Sequence, residues 1–207
     1  MNLSKSQAIN YVTAKYSNIK ENSSMQELLD VAYDKLLASA APQSLVKSVT
    51  ASDPELLPLL TPPFEETFYK ASSLALFACT IGEAVSKELE ALFASDQYTL
   101  ALFLDHMASA LTEQVAEELA NAHSKETLGY APGYCGFPIA HQKLIYDLLE
   151  AKSIGITLSS NFMLSPVKST QGILVAAPME VHRLLLAKRP LPACKDCKVH
   201  SCRERLK

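Results

Sequence analysis

Two clusters of residues in this chain have the types and spacing that chemistry needs. The first is the C-terminal run Cys194-Lys195-Asp196-Cys197-Lys198-Val199-His200-Ser201-Cys202. A C-x2-C pair aims two thiolates at one ion across a tight turn, and a third cysteine after four intervening residues completes a face. The fourth ligand is either His200, which is local, or Cys135, which lies in the second cluster. Thiolates suit zinc and an iron–sulfur cluster alike. The plain alternative is a set of free thiols at a terminus. Cys79, inside an apolar run, reads as a core residue.

The second cluster is Ala131-Pro132-Gly133-Tyr134-Cys135-Gly136-Phe137-Pro138. Proline fixes φ and glycine opens φ > 0, so the run encodes one particular backbone shape. Such a loop lets backbone lie close against a ligand while an aromatic ring covers it. The plain alternative is a rigid turn that feeds the next helix. His106, His123, His141 and His182 have no ligand-like spacing, and His182 reads as a residue decorating a helix. No Ser-His-Asp set, phosphate-binding glycine loop or paired catalytic carboxylate is legible.

The elements that must position these clusters follow from periodicity. Ile9, Val12 and Tyr16 predict a helix over 7–16. Ser24-Met25-Gln26-Glu27 reads as a capping box, and Leu28, Leu29, Ala32, Leu36 and Leu37 form the apolar face behind it. Pro42 ends that helix, 45–50 reads as a short strand, and Pro54, Pro58, Pro62 and Pro63 mark an irregular segment. The run 72–80 is nearly continuous in apolar residues and predicts a buried strand. Helices are expected over 83–94 and 98–122. The second carries a stripe of Leu100, Leu104, Met107, Leu111, Val115 and Leu119, with Asp96 as its cap. A further helix is expected over 139–151, two antiparallel strands near 161–165 and 172–177 joined through 166–170, and a helix over 179–188. Interleaved helices and antiparallel strands make the fold class α+β.

Composition narrows the function classes. The chain has 207 residues, 48% of them hydrophobic, which suffices for a sizeable core and argues against disorder. Residues 188–207 hold seven basic and two acidic side chains; with a net charge of −3 overall, this +5 tail leaves −8 on the body. The acidic body and the lack of interleaved aromatic and basic residues exclude nucleic acid as the expected partner. No 18-residue apolar run predicts a membrane span, and the N-terminus has no apolar leader core, so a cytoplasmic location is expected.

The second cluster also carries a resemblance. Ala131-Pro132-Gly133-Tyr134, then Pro138, a helix, and Ile154-Gly155-Ile156-Thr157-Leu158 leading to Ser165-Pro166-Val167-Lys168-Ser169 is similar to the activation (S-adenosylmethionine-binding) domain of cobalamin-dependent methionine synthase. The free-standing versions of that domain are the most similar. The match is dense over 129–177 and runs more weakly back to about residue 70. It implies an activation-domain-like core at 66–190 with a twisted antiparallel sheet flanked by helices; the first 65 residues carry little of the match, so the helical N-terminal segment at 1–65 rests on periodicity and the Cys-rich metal-binding tail at 191–207 on cysteine spacing. It implies reductive reactivation, in trans, of methionine synthase or another corrinoid protein, with S-adenosylmethionine as methyl donor and cobalamin on the partner. An electron donor such as flavodoxin or ferredoxin belongs to the same picture, and redox chemistry inclines the tail toward an iron–sulfur cluster over zinc. The alternative is a non-catalytic module that binds a corrinoid protein, with the tail as a structural metal clasp.

Residue by residue, the resemblance implies that Ala131, Pro132, Gly133 and Tyr134 contact the ligand. A glutamate of the long helix, Glu113 or Glu117, joins them, and Lys168 and Ser169 face the phosphate or side-chain amides of cobalamin. The chain departs from the family at Gly129, where members usually carry an arginine able to clamp a carboxylate. Lys125 is the nearby substitute, as a point charge.

Overall fold

A computed structural model describes residues 3–16, 19, 22–62, 64–134 and 136–187. They form seven α-helices and six strands: α1 Lys5–Thr13, α2 Ser23–Ser39, β1 Gln43–Val49, α3 Glu65–Tyr69, β2 Ser73–Thr80, α4 Glu83–Ala94, α5 Tyr98–His123, β3 Thr127–Tyr130, α6 His141–Leu149, β4 Thr157–Leu158, β5 Leu164–Ser165, β6 Ser169–Ala176 and α7 Met179–Ala187. Short 3-10 turns at Pro54–Leu59 and Ala151–Ile154 link them. The four-stranded antiparallel sheet has the order β1-β2-β6-β3, and β4 and β5 pair in a sheet of their own. The class is α+β, as expected. No helix among the described residues is long and apolar enough to cross a membrane.

The chain divides into two compact units, each assembled from three stretches. The first comprises Met1–Leu45, Cys79–Glu117 and Ala151–Thr170; the second comprises Val46–Ala78, Glu118–Glu150 and Gln171–Lys207. Both draw on residues from either side of position 65.

In the first unit the predicted faces meet in one core: Leu29, Ala32 and Leu36 of α2, Val85, Leu89 and Leu92 of α4, and Leu100, Leu104, Met107 and Leu111 of α5. Each fully buried leucine contributes about 1.5–3 kcal/mol relative to exposure. Leu37, expected on the α2 face, lies outside it and is exposed. The helix starts are corrected too. The capping box belongs to α1, where Ser4 and Gln7 bond each other's backbone amides. Ser24 is inside α2, because Asn22 accepts the Met25 amide and starts the helix earlier. Asp96 instead takes the hydroxyl of Tyr98 and sits at φ 59.

The second unit packs the 3-10 turn, α3, α6 and α7 with the sheet, through Leu56, Leu59, Phe64, Phe68, the buried run Leu74–Ala78, Ile145, Leu149 and Ile173–Ala177. The expected pairing of 161–165 with 172–177 is overturned. β5 pairs with β4, with Leu158 opposite Leu164, whereas β6 lies between β2 and β3. β6 is buried from Gln171 onward, and a run with no alternation belongs at the centre of a sheet, not in a half-exposed hairpin. Strand β3 was not legible: it has four residues and contains a glycine, and β6 supplies its ladder, with Leu128 opposite Val175 and Tyr130 opposite Ile173.

Candidate ligand loop

The segment 131–138 leaves the end of β3 and enters α6, and its entrance is rigid. Tyr130 is buried with its ring edge-on to Phe64 at 5.6 Å. Its hydroxyl is hydrogen-bonded to Nδ1 of His182 at 2.7 Å, and Nε2 of that ring faces the Glu126 carbonyl at 3.4 Å. His182 is wholly buried, so it is a strut holding β3 and α7 and not the surface residue its sequence context suggests.

Beyond Tyr130 the backbone closes on itself. The Tyr134 amide donates to the Ala131 carbonyl at 3.1 Å, Gly133 to the Phe137 carbonyl at 2.7 Å, and Phe137 to the Tyr134 carbonyl at 2.8 Å. Gly133 at φ 90 and Gly136 at φ 75 make the two bends, in a region that side chains disfavour. The two aromatics then part. Phe137 is 1% exposed and packs on Phe64 at 4.8 Å and Phe68 at 6.3 Å, whereas Tyr134 is 65% exposed. One ring anchors the loop, and the other is exposed. Gly129 is exposed in β3, and a Cβ there would meet Phe77 at 3.6 Å and Leu174 at 3.7 Å, ordinary contact distances. Lys125 is exposed just ahead of β3.

The other residues implied by the resemblance fall in the first unit. Glu113 and Glu117 are exposed on α5. Glu113 accepts the Tyr11 hydroxyl at 3.2 Å, and burial first, then the Glu113 charge, pushes that phenol up to about 12, so it stays a donor. The Lys168 ammonium is engaged inside its own unit, by Asp105 and by the Ser109 hydroxyl, each at 2.8 Å. Ser169 bonds Thr80 at 2.9 Å. Cys135, Cys194, Cys197, Cys202 and His200, the expected metal ligands, lie outside the described residues. Among the described residues no three acidic, histidine or cysteine side chains are grouped to hold a metal. Cys79 is buried, and burial pushes its thiol up to about 12.

No protein-family model and no curated protein matches the chain. Among solved structures it is similar to the crystal structure of the MetH reactivation domain bound to AdoHcy, at 21% identity, over 84% of this chain and 77% of that one, with a TM-score of 0.51. The chain has the fold of a MetH reactivation domain.

Within this reactivation-domain fold, three structural supports of the loop escaped sequence reading. Phe137 looks like any loop aromatic until Phe64 and Phe68 enclose it. Tyr130 and His182 are 52 residues apart and meet only in the fold. Gly172 is the third: a Cβ there falls 2.2 Å from the Tyr130 carbonyl oxygen, so only glycine lets β6 approach the entrance this closely. The one signal in sequence is that Gly172 closes the non-apolar start of the strand, Ser169-Thr170-Gln171-Gly172, just before the apolar run Ile173–Ala176.

The strut is pH-sensitive. Burial holds the His182 imidazole below its ordinary 6.5, although the Glu126 and Ala177 backbones pull it back up. His141 is lowered for the same reason. A histidine depressed in the folded state is protonated first in the unfolded chain, so stability complete above about pH 6.5 is lost as pH falls below that value. The urea midpoint is therefore expected to drop between about pH 7 and pH 5. NMR of His182 checks the cause: a titration above 6.5 contradicts it.

Proposed function

We propose that this chain binds S-adenosylmethionine at the 131–137 loop and serves a cobalamin-dependent methyltransferase, in trans, as a reductive reactivation module. The observation that carries the reading is the rigid loop with one anchored and one exposed aromatic ring, set in the fold of a reactivation domain. The solved domain of that fold is bound to AdoHcy, a molecule that differs from S-adenosylmethionine by the methyl group. S-adenosylmethionine supplies an electrophilic methyl; this chain's part is to bind and orient it. Tyr134 covers one face of the ligand, the backbone from Ala131 to Gly133 reads its polar edges, and Lys125 balances its carboxylate. The corrinoid partner and an electron donor of the flavodoxin or ferredoxin type complete the system. The tail cysteines carry no step of this reading.

The glycine at 129 favours a second reading, a non-catalytic module that binds a corrinoid protein without a methyl donor. Calorimetric titration of anaerobically purified protein with S-adenosylmethionine separates the two. Tyr134→Ala is expected to weaken binding about tenfold, the size of one aromatic contact, and to leave stability unchanged because the ring is exposed. Gly129→Arg, whose Cβ would sit at ordinary contact distances, is expected to tighten it about tenfold through a charge-assisted bond to the carboxylate. No binding by the wild-type chain, alone or with a corrinoid protein, removes the methyl-donor role and leaves the second reading.

A further inference from the structure

Gln171 is wholly buried in β6, just ahead of the apolar run Ile173–Ala176. Its Nε2 donates to the Gln142 carbonyl at 2.6 Å, while its Oε1 is buried with no hydrogen-bond partner among the described residues. A dry, unpaired amide oxygen costs free energy that leucine or methionine at the same place avoids. What an apolar residue cannot supply is the donor, and the donor goes to the first turn of α6.

That turn is continuous with the loop's exit. The Gln142 amide donates to the Ile139 carbonyl at 3.0 Å and the His141 amide to the Pro138 carbonyl at 3.1 Å. The loop's entrance is held by the next residue of the same strand, since Gly172 lies against the Tyr130 carbonyl and the Ala131 Cα. Adjacent residues of β6 thus fix both ends of the loop, Gly172 by close approach and Gln171 by a hydrogen bond. We propose that Gln171 is a positioning residue for the ligand loop: its amide ties the exit of the loop to the strand that holds the entrance, and so sets how Tyr134 is presented. The proposal rests on the S-adenosylmethionine reading for its affinity test alone.

The experiment is amide hydrogen exchange, read by NMR on the full chain, in Gln171→Met and, as a control for core loss, Ile173→Val. In Gln171→Met the Gly133 and Phe137 amides, which close the loop, are expected to exchange about tenfold faster while the amides of β2 and α5 keep their rates. Affinity for S-adenosylmethionine is expected to fall about tenfold with the melting temperature little changed. Ile173→Val is expected to leave loop exchange unaltered relative to the rest of the unit. Unchanged exchange at Gly133 and Phe137, or an equal rise at every amide of the unit, overturns the proposal. Should Gln171→Met not fold, the wild-type chain decides: the Gln171 side-chain amide protons must be protected from solvent and coupled to the Gln142 carbonyl, and rapid exchange overturns it. A wild-type chain that binds no S-adenosylmethionine defeats the functional reading and leaves the exchange result standing.

Discussion

Alanine at Gly172 is expected to unseat the 131–138 loop and cost about 3 kcal/mol of stability. The added Cβ falls 2.2 Å from the Tyr130 carbonyl oxygen, 2.9 Å from its carbon and 3.0 Å from the Ala131 Cα. All three atoms are backbone, so no side chain can rotate away. Strand β3 must move from β6, and the ladder that sets Tyr130 opposite Ile173 opens with it. At this chain length a loss of that size lowers the melting temperature by about 6–12 °C. Thermal denaturation followed by circular dichroism measures it, and calorimetry of the same variant should find S-adenosylmethionine binding abolished. A variant within about 0.5 kcal/mol of wild type, the range of neutral surface changes, would mean that β6 and β3 do not approach this closely.

Phe137→Ala is expected to be at least as damaging, at about 3–5 kcal/mol, because it empties a site enclosed by Phe64, Phe68 and His141. Phe137→Leu keeps much of the volume and should cost about half as much or less. The informative comparison is with Tyr134→Ala, three residues earlier. The tyrosine is exposed and the phenylalanine is not, so the first variant should change affinity without stability and the second should lose both. Urea denaturation beside calorimetry reads the two quantities separately. If both variants lost stability alike, the division of the loop into an anchor and a cover would be wrong.

Helices with a single apolar stripe were legible because their periodicity is local. Helix α4 runs Glu83–Ala94, the expected span, and Leu100, Leu104, Met107 and Leu111 of α5 are all buried. The buried strand β2 was legible from its unbroken run of apolar residues. Helix caps were less so: Asn22 and Ser24 both accept amides well, and which one starts α2 is decided by whichever side chain meets an amide first. Strand pairing failed for a different reason. Sequence proximity pairs 161–165 with 172–177, but β6, buried from Gln171 onward, lies between β2 and β3, and β5 pairs with β4.

The candidate site divides in the same way. By itself the sequence determined that 131–138 is a bent, stiff loop, since proline and glycine act through their own φ, and that it is followed by an amphipathic helix. It also carried the resemblance to the activation domain of methionine synthase, whose fold the chain has. It determined where Tyr134 lies in the loop, but not that this ring faces solvent while Phe137 is enclosed. That choice belongs to the tertiary structure, because Phe64 and Phe68 approach from a segment about seventy residues away. Only the tertiary structure brought His182 to Tyr130 and Gln171 to Gln142, and only it committed Lys168 to Asp105 and Ser109. The physical reason is one of range: backbone preference and periodicity are properties of a few consecutive residues, whereas burial and hydrogen-bond partnership depend on which distant segments the packed core brings alongside.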